Sequence, residues 1–206
     1  MPSSQPQLVS ARLEKLHPTQ ITVGKLEVEK KRKEWSRLGK KSRETSLSNH
    51  WFPAIAGPDH RHYIVDHHHF GLALLEEGVK TVSLMLLKDL SWLAPDKFWS
   101  VMDHHQWVHP YDSAGVRRDF PAVPFHLTKL HDDPYRSLAG ELRRAGGFSK
   151  DVTPFSEFLW ADFLRDHIPV ELVHADFNKA LSKAKKLSAT QEARYLPGWC
   201  GVISAS

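Results

Sequence analysis

The chain has 206 residues, 41% of them hydrophobic, which is enough for one sizeable core, or for a small core with a second helical layer, and cramped for two independent domains. Its formal net charge of +4 sets 28 Lys and Arg against 24 Asp and Glu, an excess that permits nucleic acid without arguing for it. One cysteine, Cys200, excludes an internal disulfide and a thiolate zinc site and fits a reducing compartment. The longest apolar stretch, 79–87, has Lys80 and Lys88 at its ends and falls short of the ~20 residues a membrane helix needs. The first nine residues lack a secretory pattern, so a cytoplasmic protein with no membrane partner is expected.

In chain order, residues 1–12 read as a flexible tail, with two prolines near the start and no periodicity in the first ten residues. Leu16-His17-Pro18-Thr19-Gln20 followed by Ile21 and Val23 predicts a turn into short extended segments, and Gly24 punctuates them. Charge dominates 27–41 around Trp35 and Leu38, the pattern of a solvated helix with a narrow apolar seam. Apolar runs at 52–56 and 63–65, parted by Gly57-Pro58-Asp59-His60, predict a hairpin. Asp66 sits where that strand ends, 70–78 reads as a helix closed by Gly78, and 79–87 as a buried strand. Helices are expected over 95–107, 135–145, 155–166 and 176–188. Strands first and helices later give an α+β fold, with a core over 13–92 and a helical extension over 93–206 packed on it.

The run Asp66-His67-His68-His69 therefore lies at a strand-to-helix junction. Asp66 suits an N-cap, and the helix start behind it offers N–H donors and the positive end of the dipole to a phosphate. Three adjacent histidines fan apart, so at most two act on one ligand. An imidazole there can transfer a proton or bind a metal; a capping Asp beside surface histidines explains the run equally well. A divalent metal at Asp66 and His68 would need further ligands, with Asp103 and His104 or His105 as candidates, and His109 four residues after His105 has helical metal spacing. Those histidines also read as surface residues. Glu157 and Asp162, carboxylates in an otherwise apolar helix, either pair with arginines such as Arg136 or Arg165 or face a pocket.

Tyr63-Ile64-Val65-Asp66-His67-His68-His69-Phe70 resembles the strand-to-helix signature of the ParB/sulfiredoxin-like superfamily, in which a Gly-Glu-Arg-Arg, Gly-Cys-His-Arg or Asp-Gly-His-His-Arg run grips nucleotide phosphates. Pro18-Thr19-Gln20-Ile21-Thr22-Val23-Gly24, the segment from Asp133 to Ala139 and the segment from Phe155 to Phe163 resemble its ParB-like nuclease branch. The resemblance implies a small mixed sheet, phosphate handling, and a nucleotide or nucleic acid as partner. It makes Asp66, His67, His68, His69 and Glu27 catalytic candidates, and Thr19, Gln20, Lys30, Arg136 and Ser137 phosphate ligands. Glu27 would be the base and Lys30 the clamp of a kinase-like site, against the reading that both are solvated helix charges. Phe70 stands where relatives carry arginine, and Arg136 with Ser137 can replace that grip. The box has no cysteine, which argues against sulfiredoxin-type reduction, and no helix-turn-helix is evident. Three readings stay open: a nuclease, a nucleotide-dependent kinase of a small hydroxylated molecule, and a binding module without turnover.

Overall fold

The computed structural model describes residues 7–201 and is a mixed α+β protein in two compact units. The first takes the chain up to Val23 and again from Val28 to His131; the second takes Gly24–Glu27 and the chain from Asp132 on. The division thus falls near 131, not near 92 as expected, because the hydrophobic clusters themselves part there. Buried apolar side chains between Leu90 and Leu130, Phe98 and Met102 among them, pack with the first unit, while Tyr135, Leu138, Trp160, Leu164 and the other buried apolar side chains of that cluster pack in the second.

In the first unit β1 (Gln7–Arg12) pairs antiparallel with β6 (Thr81–Asp89), so residues 7–12 of the expected tail are a sheet edge; residues 1–6 lie outside the described residues. Alternation of Val9 and Ala11 toward the core explains the strand, a short period-two signal lost among polar neighbours. β2 (Leu16–His17) and β3 (Thr22–Val23) follow, then α1 (Lys25–Arg37) and α2 (Lys40–Ser48), the latter without a buried residue. β4 (Trp51–Gly57) and β5 (Arg61–Ile64) form the expected antiparallel hairpin. α3 (His68–Glu76) then carries the chain back, so that β6 lies parallel to β4. The sheet order is β1-β6-β4-β5-β2, with β2 parallel to β5. Phe52, Ala54 and Ile64 from the sheet and Leu72, Ala73 and Leu74 from α3 are fully or almost fully buried together. α4 (Pro95–His104) packs Phe98 and Met102 with Ile55 and Tyr63. It ends before His105, so the expected helical pairing of His105 with His109 does not form. The unit ends at His131, the first residue of β7 (His131–Asp132), whose N–H donates to the Ile21 carbonyl at 3.0 Å.

The second unit is helical: α5 (Pro134–Arg144), α6 (Ser156–His167), α7 (Val170–Ala175) and α8 (Phe177–Ser188). Asp133 caps α5 by accepting from the Tyr135 N–H, with Pro134 at the first turn, as the Asp-Pro pair predicts. Leu138, Leu142, Trp160 and Leu164 form its core, and the Tyr135 hydroxyl donates to the Ile168 carbonyl at 2.5 Å. Among the described residues no helix is long and apolar enough to cross a membrane.

Candidate functional site

The junction from β5 to α3 is built around one unusual backbone residue. His67 is left-handed (φ 65°, ψ 22°), a conformation that costs a non-glycine residue about 1–2 kcal/mol. Here a histidine, not a glycine, takes that strain. Asp66 is exposed, and its carboxylate accepts from the His67 N–H at 2.6 Å. It therefore bonds one residue ahead of the helix instead of capping it, which corrects the expected N-cap. α3 starts without a side-chain cap and without an acidic residue in its first turn. Such a start favours an anion, through first-turn N–H groups and the dipole.

The three histidines of the box diverge. The His67 ring lies 4.4 Å from that of His50, which in turn packs 4.6 Å from Phe70. Burial, then the nearby His67 and Lys31, push His50 below its ordinary pKa, with Asp66 pulling the other way. The Nε2 of His50 is buried and accepts or donates no hydrogen bond. His50 carried no signal in the sequence, since a lone histidine before a strand looks like any other.

His68 points inward, 3% exposed, and its Nε2 accepts the backbone N–H of Thr19 at 3.0 Å. That acceptor role requires an unprotonated Nε2 and, in the neutral ring, the proton on Nδ1. The Thr19 hydroxyl donates to the Ile64 carbonyl at 2.8 Å, and the Gln20 amide to the Thr22 carbonyl at 2.6 Å. Thr19 and Gln20, expected to hold phosphate, thus have these donors engaged within the chain: Thr19 ties its segment to β5 and α3, and Gln20 bonds within that segment. His69 is half-buried.

The metal candidates do not converge. Asp103 is paired with Arg117 at 2.7 Å, and His104 packs on His105. Among the described residues no group of three or more His, Cys, Asp and Glu side chains could hold an ion.

A second cluster stands within the second unit. Glu27 lies against α5: a Cβ on Gly140 would collide with its carboxylate, and Arg144 approaches it at 3.4 Å. A Cβ on Gly24 would stand 2.5 Å from the Ser137 hydroxyl, so only glycine fits there. Three residues singled out in the sequence, Glu27, Arg136 and Ser137, therefore belong to one cluster, whereas Lys30 belongs to the first unit. Arg136 is 5% exposed with its guanidinium over the Phe158 ring at 3.3 Å, and its Nε and Nη1 have no hydrogen-bond partner; nor has the Ser137 hydroxyl. Burial pulls the Arg136 pKa down against the fields of Glu157, Asp133, Glu27 and Asp162. Each of those carboxylates is bonded to another arginine: Glu157 to Arg143 at 2.7 Å, Asp133 to Arg165 at 2.6 Å, Asp162 also to Arg165, and Glu27 to Arg144.

The chain is thus α+β, with a histidine box at a strand-to-helix junction and a buried arginine at a helix start. The comparisons make the family definite. The family model described as "Putative ParB-like nuclease" matches residues 9–166, and the chain belongs to this family. It is similar to a solved structure, the protein Atu1540 from Agrobacterium tumefaciens, with 49% sequence identity and a TM-score of 0.92 over 98% of this chain and 100% of that one. No curated protein matches.

Proposed function

We propose that this chain is a phosphodiester-handling enzyme that binds a phosphate of nucleic acid or of a nucleotide at the start of α3. The observation that carries the reading is the uncapped start of α3, with His67 and His50 side by side there under the field of Lys31. First-turn N–H groups hold the phosphate, and an imidazole of the box, His67 or His69, transfers the proton to the leaving oxygen. His68 serves as the strut that fixes the junction. Family membership supports nucleic acid as the partner.

The test incubates the purified protein with end-labelled single- and double-stranded oligonucleotides, with and without added divalent metal and chelator. Cleavage that falls at least tenfold in His67→Ala or His69→Ala, with thermal stability retained, is the expected result. Intact oligonucleotides under every condition, together with no salt-dependent binding, would overturn the reading.

A second reading is a phosphotransferase, favoured by the buried Arg136, whose Nε and Nη1 have no hydrogen-bond partner. There Arg136 and Ser137 grip the transferred phosphate and Glu27 takes the proton of a hydroxyl acceptor. It predicts nucleotide turnover only when an acceptor is present, whereas nuclease action needs none.

A further inference from the structure

Within the first unit a cavity of about 400 Å³ opens among Tyr63, Phe98, Trp99, Phe120, Phe125 and His17. Its size lies in the range of about 300–1,000 Å³ typical of small-ligand sites. Five prolines share the wall and fix its backbone, so little ordering is left to be done on binding. Trp99 and Phe120 face nearly parallel, at 12° and 5.8 Å, and the Arg61 guanidinium lies over Phe125 at 5.0 Å. None of these residues has a part in the phosphate chemistry above.

The polar side chains of the wall are His17, Asp59, Arg61 and Tyr63. The Nδ1 of His17 donates to the Phe125 carbonyl at 2.8 Å, and burial, followed by the field of Arg61, pushes the ring below its ordinary pKa. With Nδ1 donating to that carbonyl, the neutral ring presents its Nε2 as an acceptor. Arg61, paired with Asp59 at 2.9 Å, supplies N–H donors beside it. Flat rings to stack on, one acceptor and one donor are what the edge and faces of a nitrogen heterocycle require. A proline-rich segment, the other ligand that aromatic walls attract, offers carbonyl acceptors and has little use for an imidazole lone pair.

We infer that this cavity is a nucleobase site, holding one base by stacking on its aromatic wall with its edge between His17 and Arg61. The choice of a base among flat heterocycles rests on the nucleic-acid reading above. The test uses free adenosine, guanosine, cytidine and uridine, which carry no phosphate, so binding here stands or falls apart from the phosphate site. Ligand-detected NMR and calorimetry on the full chain should show at least one nucleoside binding. Trp99→Ala and Phe125→Ala should each weaken it at least fivefold, and His67→Ala should leave it unchanged. Phe125 is 51% exposed, so its variant keeps the fold if Trp99→Ala does not. No nucleoside binding at millimolar concentration, affinity indifferent to both wall variants, or preferential binding of a proline-rich peptide would overturn the inference.

Discussion

Replacing His68 separates a strut from a catalyst. The Thr19 N–H is buried and has the His68 Nε2 as acceptor at 3.0 Å. His68→Phe keeps the ring and removes the acceptor, leaving a buried donor unsatisfied at a cost of about 1–3 kcal/mol. His68→Ala adds a cavity at the first turn of α3, beside Gly71 and Leu72, and should lose about 2–5 kcal/mol. His68→Gln places an amide oxygen near the position of Nε2 and should recover most of the loss, staying within about 1 kcal/mol of the parent. Urea denaturation followed by tryptophan fluorescence and by circular dichroism gives the three values. If His68→Phe lost less than about 0.5 kcal/mol, the hydrogen bond would not be holding the junction. If His68→Gln restored stability while activity stayed as low as in His68→Phe, the imidazole itself would act in the chemistry, and the strut assignment would be refuted.

His67→Gly should relieve the left-handed strain and leave stability equal or up to about 1 kcal/mol higher, whereas His67→Val should lose more than 1–2 kcal/mol, as thermal denaturation of both will show. Arg136→Met removes a buried cation whose Nε and Nη1 have no hydrogen-bond partner, while its carboxylate neighbours keep their own arginines. Stability should hold or rise by about 1 kcal/mol, and any phosphate binding in that unit should vanish in calorimetry; a loss of 3 kcal/mol or more would mark Arg136 as structural. His17, His50 and His62 are all held below their ordinary pKa, chiefly by burial. The unfolded chain then takes up protons first as pH falls, so stability is fully present above about pH 6.5 and declines below it toward the depressed folded values. Denaturant midpoints that stay flat from about pH 7.5 to 5.5 would contradict this.

Much of the helical pattern was legible because it is local. The expected helices over 135–145 and 155–166 match α5 and α6 to within a residue or so, since Asp133-Pro134 and the apolar spacing of Phe158, Ala161 and Leu164 act within a few turns. The hairpin of β4 and β5 was legible for the same reason, with Gly57 and Pro58 marking the reversal. β1 was not, because an edge strand of six residues is defined by its partner β6, some seventy residues away, and hardly by its own composition. The place where the two units part was equally hidden, since it depends on which core Phe98 and Met102 join.

The site divides along the same line. Composition and the resemblance of the box placed Asp66, His67, His68 and His69 at a strand-to-helix junction, and the Asp-Pro cap placed Arg136 and Ser137 at a helix start; both follow from rules that act over a few residues. Tertiary structure alone decided that His68 turns inward to Thr19, that His50 stands beside His67, and that Glu27 joins Arg136 and Ser137. A side chain's exposure and its free valences depend on segments distant in the chain. The aromatic cavity is of the same kind, gathered from His17 to Phe125 across more than a hundred residues, and no local pattern could announce it.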